Sequence, residues 1–249
     1  MISPSPTTEN AEPASDRGRV VRLATFNIRH GVGMDGVFDL DRTAAAIRAL
    51  DADFVGLQEV DVGVPRSGGL DEPAELSAKT GLHASFARAI PYGGGEYGNA
   101  LLSREIPKTV RSVPLPGHEP RVLLLAEFDE MVVGTTHLAV DSEAPRLESV
   151  EIIRSVAAES AKPFVFCGDW NATPDSSTLR AVQAGFRILS DPAAPTFHGT
   201  DHGRAPGICI DYIAVDRAHS ASVRVRSREM IPDLETSDHK PLVVGFSVV

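Results

Sequence analysis

The sequence predicts an α/β protein in which two β-sheets pack against each other and helices cover their outer faces. Short runs rich in Val, Ile, Leu and Phe alternate with longer segments that carry helical spacing of apolar residues. Two of the apolar runs are separated by only Asp129 and Glu130, which indicates a hairpin. Strands that alternate with helices and also form hairpins are typical of two packed mixed sheets with helices outside.

The predicted strands share three features: they are short, apolar and bounded by Gly, Pro or Asp. In chain order they are Val20–Ile28, Asp53–Leu57, Asn99–Ser103, Val122–Phe128, Met131–His137, Phe164–Cys167, Ile208–Val215 and Leu242–Val248. Several of them end in a polar residue. This pattern directs the search for a site to the ends of the strands, where a rigid sheet meets variable loops.

Helices are predicted over Leu40–Leu50, Glu72–Thr80, Ala144–Ala161 and Ser176–Ala184. The second has a clear start signal, because Asp71 precedes it and Pro73 lies in its first turn. Gly81 and Gly185 follow two of the helical segments, at positions where glycine commonly ends a helix.

The chain divides into a tail and one domain. Residues 1–18 contain three prolines and many small polar residues, with almost nothing to bury, so a disordered tail is predicted there. Residues 19–249 contain no linker, repeat or low-complexity block, and they are predicted to form one domain.

Composition excludes several classes of protein. With 24 basic and 34 acidic side chains the net charge is −10, which argues against a broad cationic surface but not against a local basic cleft. No apolar run approaches the roughly 20 residues that span a bilayer, so no transmembrane segment is expected. The start of the chain lacks the features of a secretory signal. Cys167 and Cys209 are predicted as buried small hydrophobes, and the scarcity of cysteine favours a cytoplasmic location.

Acidic, amide and imidazole side chains collect at the ends of the predicted strands. Each has an ordinary structural explanation when taken singly: a lone Glu is usually solvated, and a lone His is usually a hydrogen-bonding residue. As a set they suggest a divalent-metal site for phosphate esters, because Mg²⁺ prefers oxygen ligands and phosphoryl chemistry needs donors for negative charge. The set comprises Asn27, Glu59, His137, Asp169, Asn171, Asp211, Asp238 and His239.

Seven motifs occur in one order along almost the whole predicted domain. They are TFNIRHG at 25–31, LQEV at 57–60, YGNALLSR at 97–104, THL at 136–138, GDWNATPDS at 168–176, IDYI at 210–213 and SDHKPL at 237–242. In these motifs the sequence resembles the endonuclease/exonuclease/phosphatase superfamily, which includes deoxyribonucleases, neutral sphingomyelinases and inositol-phosphate phosphatases. The resemblance implies a four-layered α/β sandwich, with two mixed sheets face to face and helices on both outer faces.

The resemblance also implies a metal centre. Glu59 would be the central ligand of Mg²⁺ (or Mn²⁺), with Asn27 and Asp238 nearby. Arg29, Arg66, Tyr97 and Asn99 would bind the phosphate of the substrate. For Arg66 a solvated loop arginine is an equally good interpretation. Arg29 is expected to face the same side of a strand as Asn27, because the two lie two residues apart.

The catalytic side chains implied by the resemblance lie on four of the motifs. Asp169 would hold or activate the attacking water, and Asn171 would hydrogen-bond a phosphoryl oxygen. His239, oriented by Asp211, would form a dyad at the reacting phosphorus, and His137 would donate to a non-bridging oxygen or to the leaving group. Either His239 or Asp169 can serve as the base on this evidence.

The most direct functional interpretation is a metal-dependent phosphodiesterase that acts on a small molecule or a lipid head group through metal-activated water. A deoxyribonuclease-like nuclease is the alternative, with nucleic acid contacted by arginines of the VRVRSRE segment, although a solvated strand edge is the commoner origin of such a pattern. A catalytically silent binding module is the remote alternative. No protein partner is implied.

Overall fold

The structure is a computed structural model of the chain, and it describes residues 19–199 and 207–249. The predicted disordered tail, residues 1–18, lies outside these described residues. Within them the chain forms two mixed β-sheets that pack face to face, as the sequence predicts. No helix in this part of the chain is long and apolar enough to cross a membrane.

Each sheet has six strands among the described residues. The first has the order β11-β12-β1-β2-β4-β3 and contains β1 (Val21–Asn27), β2 (Phe54–Val62), β3 (His83–Tyr92), β4 (Gly95–Ser103), β11 (Val223–Met230) and β12 (Leu242–Val248). The second has the order β5-β6-β7-β8-β10-β9 and contains β5 (Thr109–Leu115), β6 (Arg121–Glu127), β7 (Val132–His137), β8 (Phe164–Asp169), β9 (Phe186–Ile188) and β10 (Asp211–Asp216).

The α-helices of the described chain match the prediction closely. They are α1 (Leu40–Ala49), α2 (Glu72–Thr80), α3 (Glu143–Ala158) and α4 (Ser177–Gly185). The start of α2 is fixed by Asp71, whose side chain accepts a hydrogen bond from the backbone N–H of Ala74. Its end is fixed by Gly81, which has a left-handed conformation with φ of 75°. The predicted hairpin is also confirmed, since β6 and β7 pair antiparallel.

Three apolar clusters produce the layers. The central cluster lies between the sheets and takes Leu23 and Phe246 from the first sheet and Val133 and Ile213 from the second. One outer cluster packs α1 and α2 on the first sheet, and another packs α3 and α4 on the second. The four-layered sandwich is therefore confirmed. Cys167 and Cys209 are both buried free thiols, as predicted.

The prediction missed β3, β5, β9 and β11, and these are the four edge strands of the two sheets. An edge strand has one paired side and often one solvated face, so its apolar residues do not form a continuous run. β11 illustrates this, because Val223 and Val225 face the core while arginines alternate with them. The VRVRSRE arginines thus lie on an edge strand, as the solvated-edge interpretation expects.

Strand directions bring the predicted site residues to one edge of the sandwich. β1 runs parallel to β2, and β7 runs parallel to β8, so Asn27, His137 and Asp169 lie at carboxyl ends of strands. β10 is antiparallel to β8, which places Asp211 directly opposite Asp169 at the start of its strand. The topology alone therefore gathers the polar residues at one side of the molecule.

Candidate active site

Asn27 links the two sheets at the centre of the site. Its side-chain Nδ2 donates to Oε1 of Glu59 and to Oδ2 of Asp169, at 3.1 Å in both cases. Its amide oxygen accepts from the backbone N–H of Arg29 at 3.1 Å. Asn27 is completely buried, so the amide fixes the relative position of two carboxylates that come from different sheets.

Glu59 lies on a β-bulge inside β2. The pairing with β4 shifts between Leu57 and Val60, and Glu59 has a left-handed backbone with φ of 57°. The sequence places the end of this strand at Leu57, whereas the strand continues to Val62. A bulge bends the strand and changes the direction of a side chain, and bulges are common beside active sites. Here the side chain of Glu59 remains 27% exposed at the site edge.

The residues predicted to bind a metal have the chemistry that a hard cation requires. Burial raises the pKa of Glu59, and the nearby charge of Asp238 raises it further. The Ser237 hydroxyl lies 2.7 Å from the backbone oxygen of Asn27 and 3.3 Å from Oδ1 of Asp238, which ties this segment to the end of β1. A carboxylate whose charge is disfavoured by burial, with a second carboxylate and an amide beside it, fits Mg²⁺ or Mn²⁺.

His239 lies between two buried carboxylates. Its Nδ1 is 2.9 Å from Oδ2 of Asp211, and its Nε2 is 3.5 Å from Oδ2 of Asp169. Burial alone would lower the pKa of this imidazole, but the charges of Asp211 and Asp169 outweigh burial and raise the pKa to about 10. His239 is therefore an imidazolium at neutral pH.

Asp169 contacts both histidines of the site. Its Oδ2 is 3.5 Å from Nε2 of His137 and 3.5 Å from Nε2 of His239. Burial and the charge of Asp211 raise the pKa of Asp169 to about 7, against the opposing effect of His239. Burial also holds the pKa of His137 well below its usual range, so this imidazole is neutral. The site thus combines one neutral and one charged imidazole around a single carboxylate.

A second group of possible metal ligands overlaps this cluster. Ligand atoms of Asp169, Asp211 and His239 all lie within 4.8 Å of one another among the described residues. The two carboxylates favour the protonated form of His239, and a histidine must lose its proton to bind a metal. Binding of a cation by this group would therefore compete with protonation of His239, whereas Glu59 and Asp238 offer carboxylate oxygens.

Asn171 is held by the loop that follows β8. Its backbone N–H donates to Oδ1 of Asp169 at 3.0 Å, and its Nδ2 donates to the backbone oxygen of Leu138, also at 3.0 Å. The residue has a left-handed backbone with φ of 48°. Leu138 directly follows His137, so the amide of Asn171 lies between the two strand ends that carry the site.

Tyr97 and Asn99 lie on β4, beside the bulge that carries Glu59. Both are buried, and Nδ2 of Asn99 donates to the backbone oxygen of Val122 in the opposite sheet at 2.9 Å. Burial raises the pKa of the Tyr97 hydroxyl, and the nearby guanidinium of Arg121 opposes this rise. The two side chains therefore lie at the site edge, and their contact with phosphate stays a prediction.

Arg29 does not share a strand face with Asn27, so that expectation is wrong. β1 ends at Asn27, and Arg29 begins a 3₁₀ turn with a left-handed φ of 48°. The backbone of Arg29, rather than its side chain, contacts Asn27. The guanidinium lies at the rim, where Nη1 is 3.5 Å from the backbone oxygen of Gly33.

Two nitrogens of the Arg66 guanidinium are bound to Asp61, and contact of this residue with phosphate stays a prediction. Nε and Nη2 of Arg66 donate to the two carboxylate oxygens of Asp61 at 2.8 and 2.9 Å. The guanidinium also lies 4.4 Å from the ring centre of Tyr92 and 5.5 Å from that of Tyr97. Arg66 thus fastens its loop to β2, and its remaining Nη1 lies 3.5 Å from the Tyr92 hydroxyl.

Sequence reasoning missed Thr196, which holds the Asp211 end of the dyad. The Thr196 hydroxyl accepts hydrogen bonds from the backbone N–H groups of Ile210 and Asp211, both at 3.2 Å. The backbone oxygen of Thr196 accepts from the N–H of Lys240 at 2.7 Å, next to His239. The sequence around Thr196 lacks the alternating apolar pattern of a strand. The threonine and the aromatic residue beside it are the features that could have drawn attention to this segment.

The next two residues hold the His239 end. The ring of Phe197 packs on that of His239 with 4.9 Å between centroids. The backbone N–H of His198 donates to the oxygen of Asp238 at 3.1 Å, and its ring Nε2 lies 3.0 Å from the oxygen of Ser237. Residues 196–198 therefore form a brace that holds both partners of the dyad.

The fold and the site together define the class of phosphoesterase-type α/β sandwiches. The chain belongs to the Endonuclease/Exonuclease/phosphatase family, whose model matches residues 24–239. Members of this family hydrolyse phosphoester bonds and generally depend on divalent metal ions. No curated protein sequence matches the chain significantly.

Solved structures with the same fold cover nearly the whole chain. An endonuclease/exonuclease/phosphatase from Beutenbergia cavernae is 26% identical, with a TM-score of 0.74, and the match covers 92% of this chain and 72% of that one. A Bacteroides vulgatus protein of the same description is 22% identical, with a TM-score of 0.75 and 93% and 100% covered. A mannosyl-6-phosphatase from Bacteroides thetaiotaomicron is 17% identical, with a TM-score of 0.71 and 91% and 99% covered.

Proposed function

We propose that this protein is a Mg²⁺- or Mn²⁺-dependent phosphodiesterase that acts on a small molecule or a lipid head group. The observation that carries the proposal is the continuous contact from Glu59 through Asn27 and Asp169 to His239 and Asp211 at one sheet edge. Glu59, Asp238 and the amide of Asn27 would hold the cation. A bound cation would act as a Lewis acid on a phosphoryl oxygen and would make water more acidic.

The shifted pKa values support one arrangement of the proton transfers. A base must be unprotonated at the working pH, which favours Asp169 over His239, because the pKa of Asp169 is about 7 and that of His239 about 10. Asp169 takes a proton from the attacking water, and the imidazolium of His239 donates a proton to the leaving oxygen. The 3.5 Å separation of Asp169 and His239 allows the proton to return to the imidazole after the reaction.

Neutral donors complete the proposed site. His137 has a strongly lowered pKa, so its imidazole can donate to a non-bridging oxygen without carrying a charge. Asn171 is held between the ends of β7 and β8 and provides a second donor for the phosphoryl group. Donors fixed before the substrate arrives stabilise the charge that develops in the transition state.

A panel assay tests this function. Purified protein is incubated with Mg²⁺ or Mn²⁺ and with bis-p-nitrophenyl phosphate, sphingomyelin, inositol phosphates, plasmid DNA and single-stranded oligonucleotides. Metal-dependent turnover of the small diester or of a lipid substrate, with DNA left intact, is the expected result. Nicking of plasmid DNA at catalytic enzyme concentrations would replace the proposal with the nuclease. Failure on every substrate by a protein that still binds metal would indicate a binding module.

A further inference from the structure

A cavity of about 300 Å³ lies at the side of the sandwich, where the first sheet ends in β11 and the second ends in β9. One wall is the segment 190–195, which follows β9. The other wall is formed by the end of β11 and the start of β12. Its described lining contains none of the residues of the proposed mechanism. A cavity of this size suits a small molecule, so it is a candidate for a second site.

The floor of the cavity is apolar and continuous with the core between the sheets. Ala194 and Leu242 line the cavity and are buried members of the central cluster. Met230 also lines it and packs against the same cluster. An aliphatic group that enters the cavity would leave water and contact these side chains, which is favourable.

Two opposite charges line the same cavity. Arg228 reaches from β11 to the second sheet, where its Nε donates to the backbone oxygen of Leu189 at 2.6 Å. Oδ1 of Asp191 accepts from the backbone N–H of Ala193 at 2.9 Å. Each charged group is therefore held in place through one atom. In the part of the chain that the structure describes, Arg228 and Asp191 form no ion pair with each other or with another residue.

The remaining charge of the lining is already compensated, because Glu229 pairs with Arg22 at 3.0 Å. The cavity thus offers a ligand one positive group, one negative group and an apolar floor. A simple anion would meet the charge of Asp191, and a simple cation would meet that of Arg228. A zwitterion compensates both charges. An α-amino acid carries both charges beside one carbon atom, and its side chain projects from that same carbon.

We propose that this cavity binds an apolar α-amino acid. Its carboxylate pairs with Arg228, its ammonium pairs with Asp191, and its side chain lies against Met230 and Leu242. The Nε of the guanidinium is used by the backbone, which leaves the terminal nitrogens for the carboxylate. This site goes beyond the proposed function and does not depend on it.

The occupied cavity restrains the brace of residues 196–198. Its wall at 193–195 leads directly into Thr196, without an intervening turn of chain. Lys240 joins the two parts, because its Nζ donates to the oxygen of Pro195 at 3.4 Å and its backbone N–H donates to the oxygen of Thr196 at 2.7 Å. A ligand that orders this wall reduces the local opening of the residues that follow.

Calorimetry at pH 7 compares L-leucine with three analogues that each lack one recognised feature. N-acetyl-L-leucine lacks the ammonium, L-leucinamide lacks the carboxylate, and glycine lacks the apolar side chain. The full chain is expected to bind leucine at least about tenfold more tightly than each analogue. Absence of leucine binding, or equal affinity for leucine and any one analogue, would overturn the proposal.

Two variants locate the binding. Arg228→Gln is expected to weaken leucine binding about tenfold or more and to change leucinamide binding little, because leucinamide has no carboxylate. Asp191→Asn keeps an oxygen for the N–H of Ala193, and it is expected to weaken the binding of leucine but not of N-acetyl-leucine.

The matched control is Arg88→Gln. Arg88 lies on β3, the opposite edge strand of the first sheet, and pairs with Glu96 at 3.0 Å. This variant is expected to bind leucine as the wild type does. Unchanged leucine affinity in a folded Arg228→Gln or Asp191→Asn, or an equal loss in Arg88→Gln, would overturn the assignment of the site.

Hydrogen exchange, followed by NMR, tests the link to the brace. The backbone N–H groups of Ile210 and Asp211 donate to the Thr196 hydroxyl. With leucine at ten times its Kd, their exchange is expected to slow by up to about tenfold in the wild type, and not in Arg228→Gln. Unchanged exchange in a protein that binds leucine would overturn the link to the brace. None of these measurements needs turnover of a phosphate ester.

Discussion

Nδ1 of His239 lies 2.9 Å from Oδ2 of Asp211, and both side chains are almost completely buried where the two sheets meet. The pair joins the start of β10 to the segment before β12, so it forms only when both sheets are packed. Because Asp169 approaches the other ring nitrogen, the imidazole is held in its charged form. Packing of the sandwich thus sets the protonation state of a side chain in the site.

Replacement of Asp211 tests whether it sets the state of His239. Asp211→Asn removes the nearer of the two charges, so the pKa of His239 should fall well below about 10, and turnover should fall about 100-fold or more. The measurement is NMR titration of the His239 ring together with kcat. Asp216→Asn is the matched control, because Asp216 pairs with His219 at 2.8 Å at the other end of β10. A wild-type rate in His239→Ala would contradict the dyad.

The pH dependence of turnover follows from the two shifted groups. The pKa of Asp169 is raised to about 7, so the carboxylate is protonated below that pH and cannot act as the base. The pKa of His239 is raised to about 10, so the imidazolium is lost above that pH. kcat/KM for bis-p-nitrophenyl phosphate should therefore rise through about pH 7 and fall near pH 10. A rise centred near the ordinary aspartate pKa of about 4 would refute the assignment of Asp169 as base.

Thr196 should contribute to stability and to activity through one hydroxyl. Thr196→Val leaves the backbone N–H groups of Ile210 and Asp211 buried without an acceptor, which should lower the free energy of unfolding by about 2 kcal/mol. Turnover should fall as well, because Asp211 is no longer held in place. Urea unfolding and a rate measurement check both effects, and Thr196→Ser serves as the control that keeps the hydroxyl. Equal stability of the valine and serine variants would show that the brace is unimportant.

Glu72 lies outside the site, and it should make the free energy of unfolding depend on pH. It is completely buried, and burial, with the charge of Asp61, raises its pKa to about 8. Because the pKa of Glu72 is higher in the folded state than in the unfolded state, its protonated form stabilises the fold. This stabilisation is complete at pH values below the ordinary glutamate pKa, and it is lost as the pH rises towards 8. In the wild type, Oε2 of Glu72 accepts a hydrogen bond from the backbone N–H of Asp61 at 2.8 Å. Glu72→Gln cannot titrate, but its amide oxygen can still accept this hydrogen bond.

The comparison for Glu72 is made by urea unfolding at several pH values. The free energy of unfolding of the wild type, relative to Glu72→Gln, should decrease between pH 4.5 and pH 8 by up to about 5 kcal/mol. Glu148 lies on the exposed face of α3, so the difference in unfolding free energy between the wild type and Glu148→Gln should be the same at every pH. If the difference between the wild type and Glu72→Gln were also independent of pH, the pKa of Glu72 would be the same in the folded and unfolded states.

Much of the fold could be predicted because its signals are local. Asp71 and Gly81 determine the ends of α2 through a side-chain cap and a left-handed residue, and both are readable from residue type. Interior strands are continuous apolar runs and were located. The edge strands were missed because one face is solvated, so β11 shows Arg between its valines. Such a strand forms because a neighbouring strand is available to pair with it, and the sequence does not show which strands are neighbours.

The site was predictable in its members and less so in its contacts. Motif residues at the strand ends do meet at one edge, and Asn27, Glu59 and Asp169 are in direct contact. The turn at Arg29 depends on a left-handed φ angle, which the residue type does not indicate. The ion pair of Arg66 with Asp61 depends on how the loop folds back on β2. Arg121 was missed because the predicted strand began one residue later, and burial of a charge has no signature in the sequence.

The role of Glu59 at the metal site is tested by measuring Mg²⁺-dependent hydrolysis of bis-p-nitrophenyl phosphate by Glu59→Gln, with Mg²⁺ binding measured by calorimetry on the same samples. Glu59 should supply the charge that holds the cation, and its removal should not unfold the protein, because burial already disfavours the ionised carboxylate. The expected result is a folded Glu59→Gln variant that has lost both metal binding and turnover, while Glu148→Gln keeps both. Full metal-dependent activity in Glu59→Gln would contradict the assignment of this sheet edge as the metal site.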